Sequence, residues 1–96
     1  MRVYQLENKN QFVIMDYESN KIAFQSYDSV CAEIKDEVLT LGRDWDYSKT
    51  TLKHLYIFLD YHYYRLWDKI KDSKNKRALI QKMIDNGEIN YNEDMR

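Results

Sequence analysis

The sequence predicts an α+β domain: an antiparallel β-meander of about four strands packed against one long helix, followed by a short second helix. Residues 1–42 alternate apolar and polar side chains with a period of two, whereas most of the chain beyond residue 47 repeats with a period near 3.6. The stretch from Trp45 through Leu55 is where one pattern hands over to the other. The apolar runs of the first half are joined by turns of two to four residues, and parallel pairing would need crossovers of about a dozen residues or more. With 96 residues the chain is long enough for one core and too short for two. We read 1–96 as a single domain, with a sheet half over 1–42 and a helical half over 47–96.

Each element has a local reason. Arg2 to Leu6 is a candidate short strand, closed by a turn at Glu7-Asn8-Lys9-Asn10. Phe12 to Tyr17 places Phe12 and Ile14 on one face and Val13, Met15 and Tyr17 on the other, the pattern of a strand covered on both faces. Glu18-Ser19-Asn20 turns into Lys21 to Tyr27, where Ile22 and Phe24 alternate with Ala23 and Gln25. Tyr27-Asp28-Ser29 is a second tight connection. Val30, Ala32 and Ile34 then alternate with Cys31 and Glu33, which predicts a regular half-buried strand. Lys35-Asp36-Glu37 turns into Val38 to Leu41, and Gly42 ends the sheet. The chain has no proline and only two glycines, so its turns rely on Asn, Asp and Ser.

Ser48 is a good helix N-cap, Asp46 ahead of it suits the helix dipole, and Thr50 and Thr51 fill the first turn. Leu52, Leu55, Leu59, Tyr63, Leu66 and Ile70 step by three and four and form the face expected on the sheet. A second stripe of Tyr56, Ile57, Tyr61, Tyr64 and Trp67 widens the apolar coverage beyond what one sheet requires. Ser73 is positioned to cap a further helix with Leu79, Ile80, Met83 and Ile84 inward, stopped by Gly87. Glu88-Ile89-Asn90-Tyr91 reads equally as a brief strand or a tail.

Composition restricts function more than it reveals it. Fifteen basic residues against sixteen acidic ones leave a net charge of −1, without the global basic field usual in nucleic-acid-binding domains. No apolar run approaches the ~20 residues of a membrane span, and the N-terminus lacks the apolar region of a signal peptide. Cys31 is the single cysteine, which excludes an intrachain disulfide and favours a reducing compartment. The expectation is a soluble, intracellular protein without membrane association. Nine tyrosines and two tryptophans are many for this length, and such residues are enriched in contact surfaces.

No residue set assembles a catalytic site on spacing. His54 and His62 lie eight apart on one helix, too far for the i, i+4 geometry of a shared metal. No glycine-rich phosphate loop exists, and Cys31 reads as a buried structural thiol. Asp44, Asp46, Asp60 and Asp68 converge on no site, and Ser48 lies on a different helix face from His54. No cofactor, metal or enzymatic activity is expected. Lys69, Lys71, Lys74, Lys76, Arg77 and Lys82 form the one basic concentration. With Tyr61, Tyr64 and Trp67 they would suit single-stranded nucleic acid, although Asp68 and Asp72 weaken the field.

The segment Phe24-Gln25-Ser26-Tyr27-Asp28-Ser29, followed by Trp45-Asp46-Tyr47-Ser48-Lys49-Thr50-Thr51-Leu52-Lys53-His54, resembles a family of small phage and prophage proteins of Gram-positive bacteria. In that family a strand carrying FQSY precedes a WDYS-x-TT-x-K-H segment that opens a helix. The resemblance runs from about Phe12 to Leu59. The same module is similar to the N-terminal part of staphylococcal anti-CRISPR proteins that inhibit a Cas nuclease. It implies a phage-encoded counter-defence protein in the cytoplasm of the bacterial host, binding a Cas effector stoichiometrically and without catalysis. Physically, Trp45 and Tyr47 are expected to plug the open end of the sheet while Ser48 caps the helix. Beyond Leu59 the chain departs into its own tyrosine-rich helix. The contact residues expected on the helical half are Tyr56, Asp60, Tyr61, Tyr64, Trp67, Lys69 and Lys71. The alternatives are a small nucleic-acid-binding phage regulator, or an inhibitor of another host defence or replication protein. Surplus apolar surface on the helix also permits a homodimer.

Overall fold

The computed structural model describes residues 2–5 and 10–95. The chain runs β1 (Arg2–Gln5), β2 (Gln11–Asp16), β3 (Lys21–Ser26), β4 (Ser29–Lys35), β5 (Val38–Gly42), α1 (Lys49–His62), α2 (Tyr64–Ile70), α3 (Lys76–Asp85) and β6 (Asn90–Asn92). The α+β meander predicted from the sequence is present, and it is longer than the four strands expected. Among the described residues six strands lie in sequence order; β1 to β5 pair antiparallel, and β6 adds parallel to β5. The three helices supply the long crossover that this parallel pair needs. The C-terminal part is therefore not helical throughout, and the stretch after Gly87 is a strand rather than a tail. Leu6 and most of the expected turn over residues 7–10 lie outside the described residues.

Strand register puts the core together row by row. Val13, Phe24, Ala32 and Leu41 are successive cross-strand partners and are all buried. Met15, Ile22, Ile34 and Leu39 form the next row on the same face. α1 lies on this face, with Phe58 stacked on Phe24 at 5.8 Å between ring centroids and Leu55 and Leu59 fully buried beside them. Burying side chains of this size stabilises by about 1.5–3 kcal/mol each. The opposite face of the sheet is more open. Phe12 and Ile14 are only half-buried there, so the expectation that their strand is covered on both faces is corrected. An ion pair between Lys21 and Glu33 at 3.6 Å crosses that face.

β4 departs from strict alternation. Phe24 pairs with Ala32 but Gln25 pairs with Val30, so β4 carries one extra residue, Cys31. The bulge turns Cys31 inward next to Ala32, where both are fully buried, and turns Val30 to the other face. The Cys31 thiol sits 3.3 Å from the Asp44 carbonyl oxygen, and burial pushes its pKa up to about 12, as expected of a structural thiol. Asp44 is tied to the same corner, its carboxylate accepting a hydrogen bond from Ser29 Oγ at 2.7 Å.

Two ends of the predicted helical region follow local chemistry. Ser48 caps α1 by accepting a hydrogen bond from Thr51 N–H at 3.1 Å. Gly87, with φ 79, closes α3: Glu88 N–H donates to Met83 O and Gly87 N–H to Ile84 O, a Schellman pair. Two other details differ from expectation. α3 is capped by Asn75, whose side chain accepts from Ala78 N–H at 3.1 Å, while Ser73 Oγ accepts from Asn75 N–H. Trp45 is 2% exposed and plugs the sheet end, but Tyr47 is 69% exposed and instead meets Tyr27 edge-on at 6.1 Å.

The single long helix expected over residues 48–70 is broken at Tyr63, which has φ −144 and ψ 54. No proline or glycine lies nearby, so the cause is tertiary. The Tyr63 hydroxyl donates to the Glu37 carbonyl oxygen at 3.3 Å, and the Arg65 guanidinium donates to the same oxygen and to the Tyr63 hydroxyl. Breaking the helix lets both side chains reach the β4–β5 turn while Leu66 and Ile70 stay buried. That turn has positive φ at both central residues, Asp36 (51) and Glu37 (68), the sign pattern of a type I′ hairpin. An Asn-Gly pair adopts it at lower cost. The double variant Asp36→Asn/Glu37→Gly is expected to gain about 0.5–1 kcal/mol, raising Tm by about 3–6 °C in a calorimetric scan, because the carbonyl that Tyr63 and Arg65 engage is kept.

Candidate partner-binding surface

The residues expected at a contact surface divide into three groups. The first is an aromatic floor. α2 folds back beside α1 after the break, and this brings Tyr56 against Trp67 with centroids 5.8 Å apart and planes at 33°. Both rings are half-buried and pack on the core, so they are partly structural. Burial raises the Tyr56 hydroxyl above the usual phenol range, with Arg77 and Asp46 acting on it in opposite directions. Together with Leu52 the two rings line a shallow concavity whose remaining walls are Lys49 and Lys53 of α1 and Lys76 of α3. The Lys76 ammonium lies 6.0 Å from the Trp67 ring centroid and donates to Ser73 O at 3.2 Å.

The second group is an exposed shoulder around the helix break. Tyr61 is 80% exposed and Tyr64 51% exposed, and Asp60 is exposed beside them. Lys71 donates to the Tyr64 hydroxyl at 3.1 Å, lies 5.5 Å from its ring centroid, and pairs with Asp68 at 3.3 Å. The hydrogen bond to Tyr64, followed by that to Asp68, pushes the Lys71 pKa up to about 12. Lys69 stands apart as the third. It lies on the far side of α2 from Trp67, in a groove with Glu37, Leu39, Leu66 and Ile89.

The expected basic concentration is therefore dispersed. Arg77 is tied to Asp46, with Nε and a terminal guanidinium nitrogen at 2.8 and 2.7 Å from Oδ2, so Asp46 bridges to α3 instead of serving the α1 dipole alone. Lys49 and Lys53 enter from the start of α1 and were not expected at the site. Their signal was present in the spacing of Lys49, Lys53, Tyr56 and Asp60, which share one helix face at i, i+4, i+7 and i+11.

The remaining polar candidates have structural surroundings. His54 is buried, with Nδ1 2.9 Å from the Thr50 carbonyl oxygen, and its Nε2 has no hydrogen-bond partner among the described residues. Ser48 Oγ reaches Thr51 Oγ1 at 3.1 Å, and Thr51 Oγ1 reaches Ser26 Oγ at 2.9 Å. His62 stacks near Phe58 at 5.2 Å. Among the described residues, no three His, Cys, Asp or Glu side chains converge as they would to hold a metal ion, and no helix is long and apolar enough to cross a membrane.

Compared with known proteins, residues 2–82 match the model of a family of unknown function (DUF8033). No curated protein and no solved structure matches the chain.

Stability carries a pH dependence through His62, at the end of α1. Burial lowers the His62 pKa below its ordinary 6.5. Between those two values the unfolded chain holds more protons than the folded one, so stability rises with pH across that window. The contribution is fully present above about pH 6.5 and is lost as pH falls through the depressed folded value. Thermal melts from pH 7.5 down to pH 5 are expected to show a shallower fall in Tm for His62→Gln than for the unaltered chain; parallel profiles would assign the acid loss to other groups.

Proposed function

We infer, for a chain that belongs to the DUF8033 family of unknown function, a non-enzymatic protein that acts by stoichiometric binding, and we propose a Cas nuclease or effector complex as its target. The observation that carries the binding reading is the exposed tyrosine shoulder. Tyr61 and Tyr64 flank a helix break held by the Tyr63 and Arg65 contacts, and Lys71 holds the Tyr64 ring. Exposed tyrosines have few rotatable bonds, and one already held, as Tyr64 is by Lys71, loses little entropy on binding; such residues are typical energetic anchors of interfaces. The choice of target is supported by the similarity of the FQSY and WDYS-x-TT-x-K-H segments to phage proteins and anti-CRISPR modules. On this reading the chain is phage-encoded, works in the bacterial host cytoplasm, and blocks nucleic-acid entry or a domain movement of the effector.

One specific observation favours a second reading, a small nucleic-acid-binding regulator. Lys49, Lys53 and Lys76 stand around the half-exposed Trp67, a basic and aromatic combination that single strands also use. Inhibition of another host defence or replication protein, or a homodimer through the same tyrosines, would use the shoulder in the same way.

A test combines the purified chain with assembled Cas effector in size-exclusion chromatography and a target-cleavage assay. Co-elution in near equimolar amount is expected, with cleavage inhibited. Tyr61→Ala/Tyr64→Ala should weaken the complex by about 2 kcal/mol or more while Tm shifts by no more than a few degrees, since both rings are largely exposed. Full inhibition by the double variant would remove the shoulder from the interface, and absence of any complex would shift the reading to the regulator.

A further inference from the structure

We propose that the concavity between α1, α2 and α3 docks a short acidic segment of a partner protein, an apolar side chain seated on Leu52, Tyr56 and Trp67 with carboxylates meeting Lys49, Lys53 and Lys76. The proposal deepens the binding reading above and names the chemistry of one contact. Three features fix it. The floor is apolar and is made from two helices. Three lysines line it, the Lys76 ammonium over the Trp67 ring, and none of the three has a carboxylate at ion-pair distance among the described residues, whose close pairs are Lys21–Glu33, Lys71–Asp68 and Arg77–Asp46. A protein of net charge −1 thus gathers unneutralised positive charge around one apolar patch. The complement of such a patch is an apolar anchor flanked by acids.

The arrangement of charge favours a protein segment over nucleic acid. A bound single strand gains most of its affinity by laying successive phosphates along a track of cations. Here three lysines border one apolar patch, two of them a turn apart on α1, and carboxylates stand beyond them. Asp60 is one turn further along the Lys53 and Tyr56 face, Asp46 acts on the Tyr56 hydroxyl, and Asp68 follows Trp67 on α2. A polyanion running past the lysines along α1 would meet Asp60, which has no ion-pair partner among the described residues, whereas Asp46 and Asp68 are already paired with Arg77 and Lys71. A segment with two or three carboxylates around one anchor would not.

Lys49→Glu/Lys53→Glu suits the test because both lysines are exposed and Lys49 opens α1, where a negative charge is favoured by the helix dipole. The probes are a fluorescein-labelled peptide with glutamates flanking a leucine-phenylalanine pair, the same peptide with glutamines in place of glutamates, and a single-stranded oligothymidylate. Anisotropy reports binding, and Trp67 emission reports the site, since Trp45 is 2% exposed and shielded. Saturable binding of the glutamate peptide is expected, weakened about tenfold or more by the double charge reversal and by glutamine replacement, and unchanged by Lys69→Glu on the far side of α2. Equal affinity for the glutamine peptide, an unaffected double variant, tighter and steeply salt-dependent binding of the oligothymidylate, or no binding of any probe would each overturn the proposal. The titration uses no Cas effector. Peptide binding with failed effector capture would therefore overturn only the named target, and the reverse result would overturn only this docking site.

Discussion

The structure depends on how α1 is held against the sheet. Phe24 and Phe58 supply the attraction, but stacked rings and aliphatic neighbours are non-directional and would tolerate a slide or rotation of the helix. A chain of hydroxyls removes that freedom. Ser26 on β3, Thr51 in the first turn of α1 and the cap residue Ser48 are linked at 2.9 and 3.1 Å, so the start of the helix is tied to one point on one strand. The bonds are short-range and directional, and leaving the buried Ser26 or Thr51 oxygen unpaired would cost about 1–3 kcal/mol. With this end fixed, the phase of the whole helix is set. Thr51, His54, Leu55, Phe58 and Leu59 turn inward, while Lys49, Lys53 and Asp60 turn outward and Tyr56 sits at the boundary.

The second constraint acts at the other end of α1. The β4–β5 turn holds Asp36 and Glu37 at positive φ, which non-glycine residues adopt at a cost, and the helix break at Tyr63 gives up regular helical geometry. The two irregularities meet at the Glu37 carbonyl oxygen, which accepts from both Tyr63 and Arg65. The Arg65 guanidinium also stacks 4.6 Å from the Tyr63 ring centroid. Each departure is therefore supported by the other. The direction that α2 takes from this joint decides that Trp67 faces Tyr56 and that Lys69 faces away.

Features that depend on near neighbours in the chain were legible in the sequence. The meander came from period-two runs and short turns, the α1 cap from Ser48, and the α3 stop from Gly87, whose φ of 79 suits glycine. The missed features rest on distant partners. Nothing within the Val30 to Ile34 run marks the bulge at Cys31, whose position depends on pairing with β3 and on the Asp44 carbonyl. Nothing around Tyr63 marks the break, because its reward lies 26 residues away at Glu37. β6 has only three residues, and its register is set by β5. The Glu88-Ile89-Asn90-Tyr91 pattern could not separate a strand from a tail. The candidate site divided in the same way: periodicity found the aromatic residues and the two-residue spacing of Trp67 and Lys69 already parts them on α2, but grouping Trp67 with Tyr56 needed the angle between α1 and α2.

Gly42 shows how the sheet end supports this arrangement. A side chain there would stand 2.5 Å from the Met95 carbonyl oxygen and 2.7 Å from that of Val30, so the C-terminal segment can close over β5 only because the position is bare. That closure accompanies β6 pairing with β5, and the chain between them is the three-helix crossover that carries the tyrosine shoulder and the lysine-rimmed floor. Both surfaces are thus built on a segment anchored to the sheet at each end, by Ser26 at the start and by β6 at the finish. A surface on such a segment is preorganised, and binding there need not order loose chain. Tyr56 and Trp67 contribute to the core and to the concavity at once, so removing either ring lowers stability and reshapes the concavity together. Lys49 and Lys53 stand exposed on the outer side of α1, so their charge can be reversed without disturbing the core beneath.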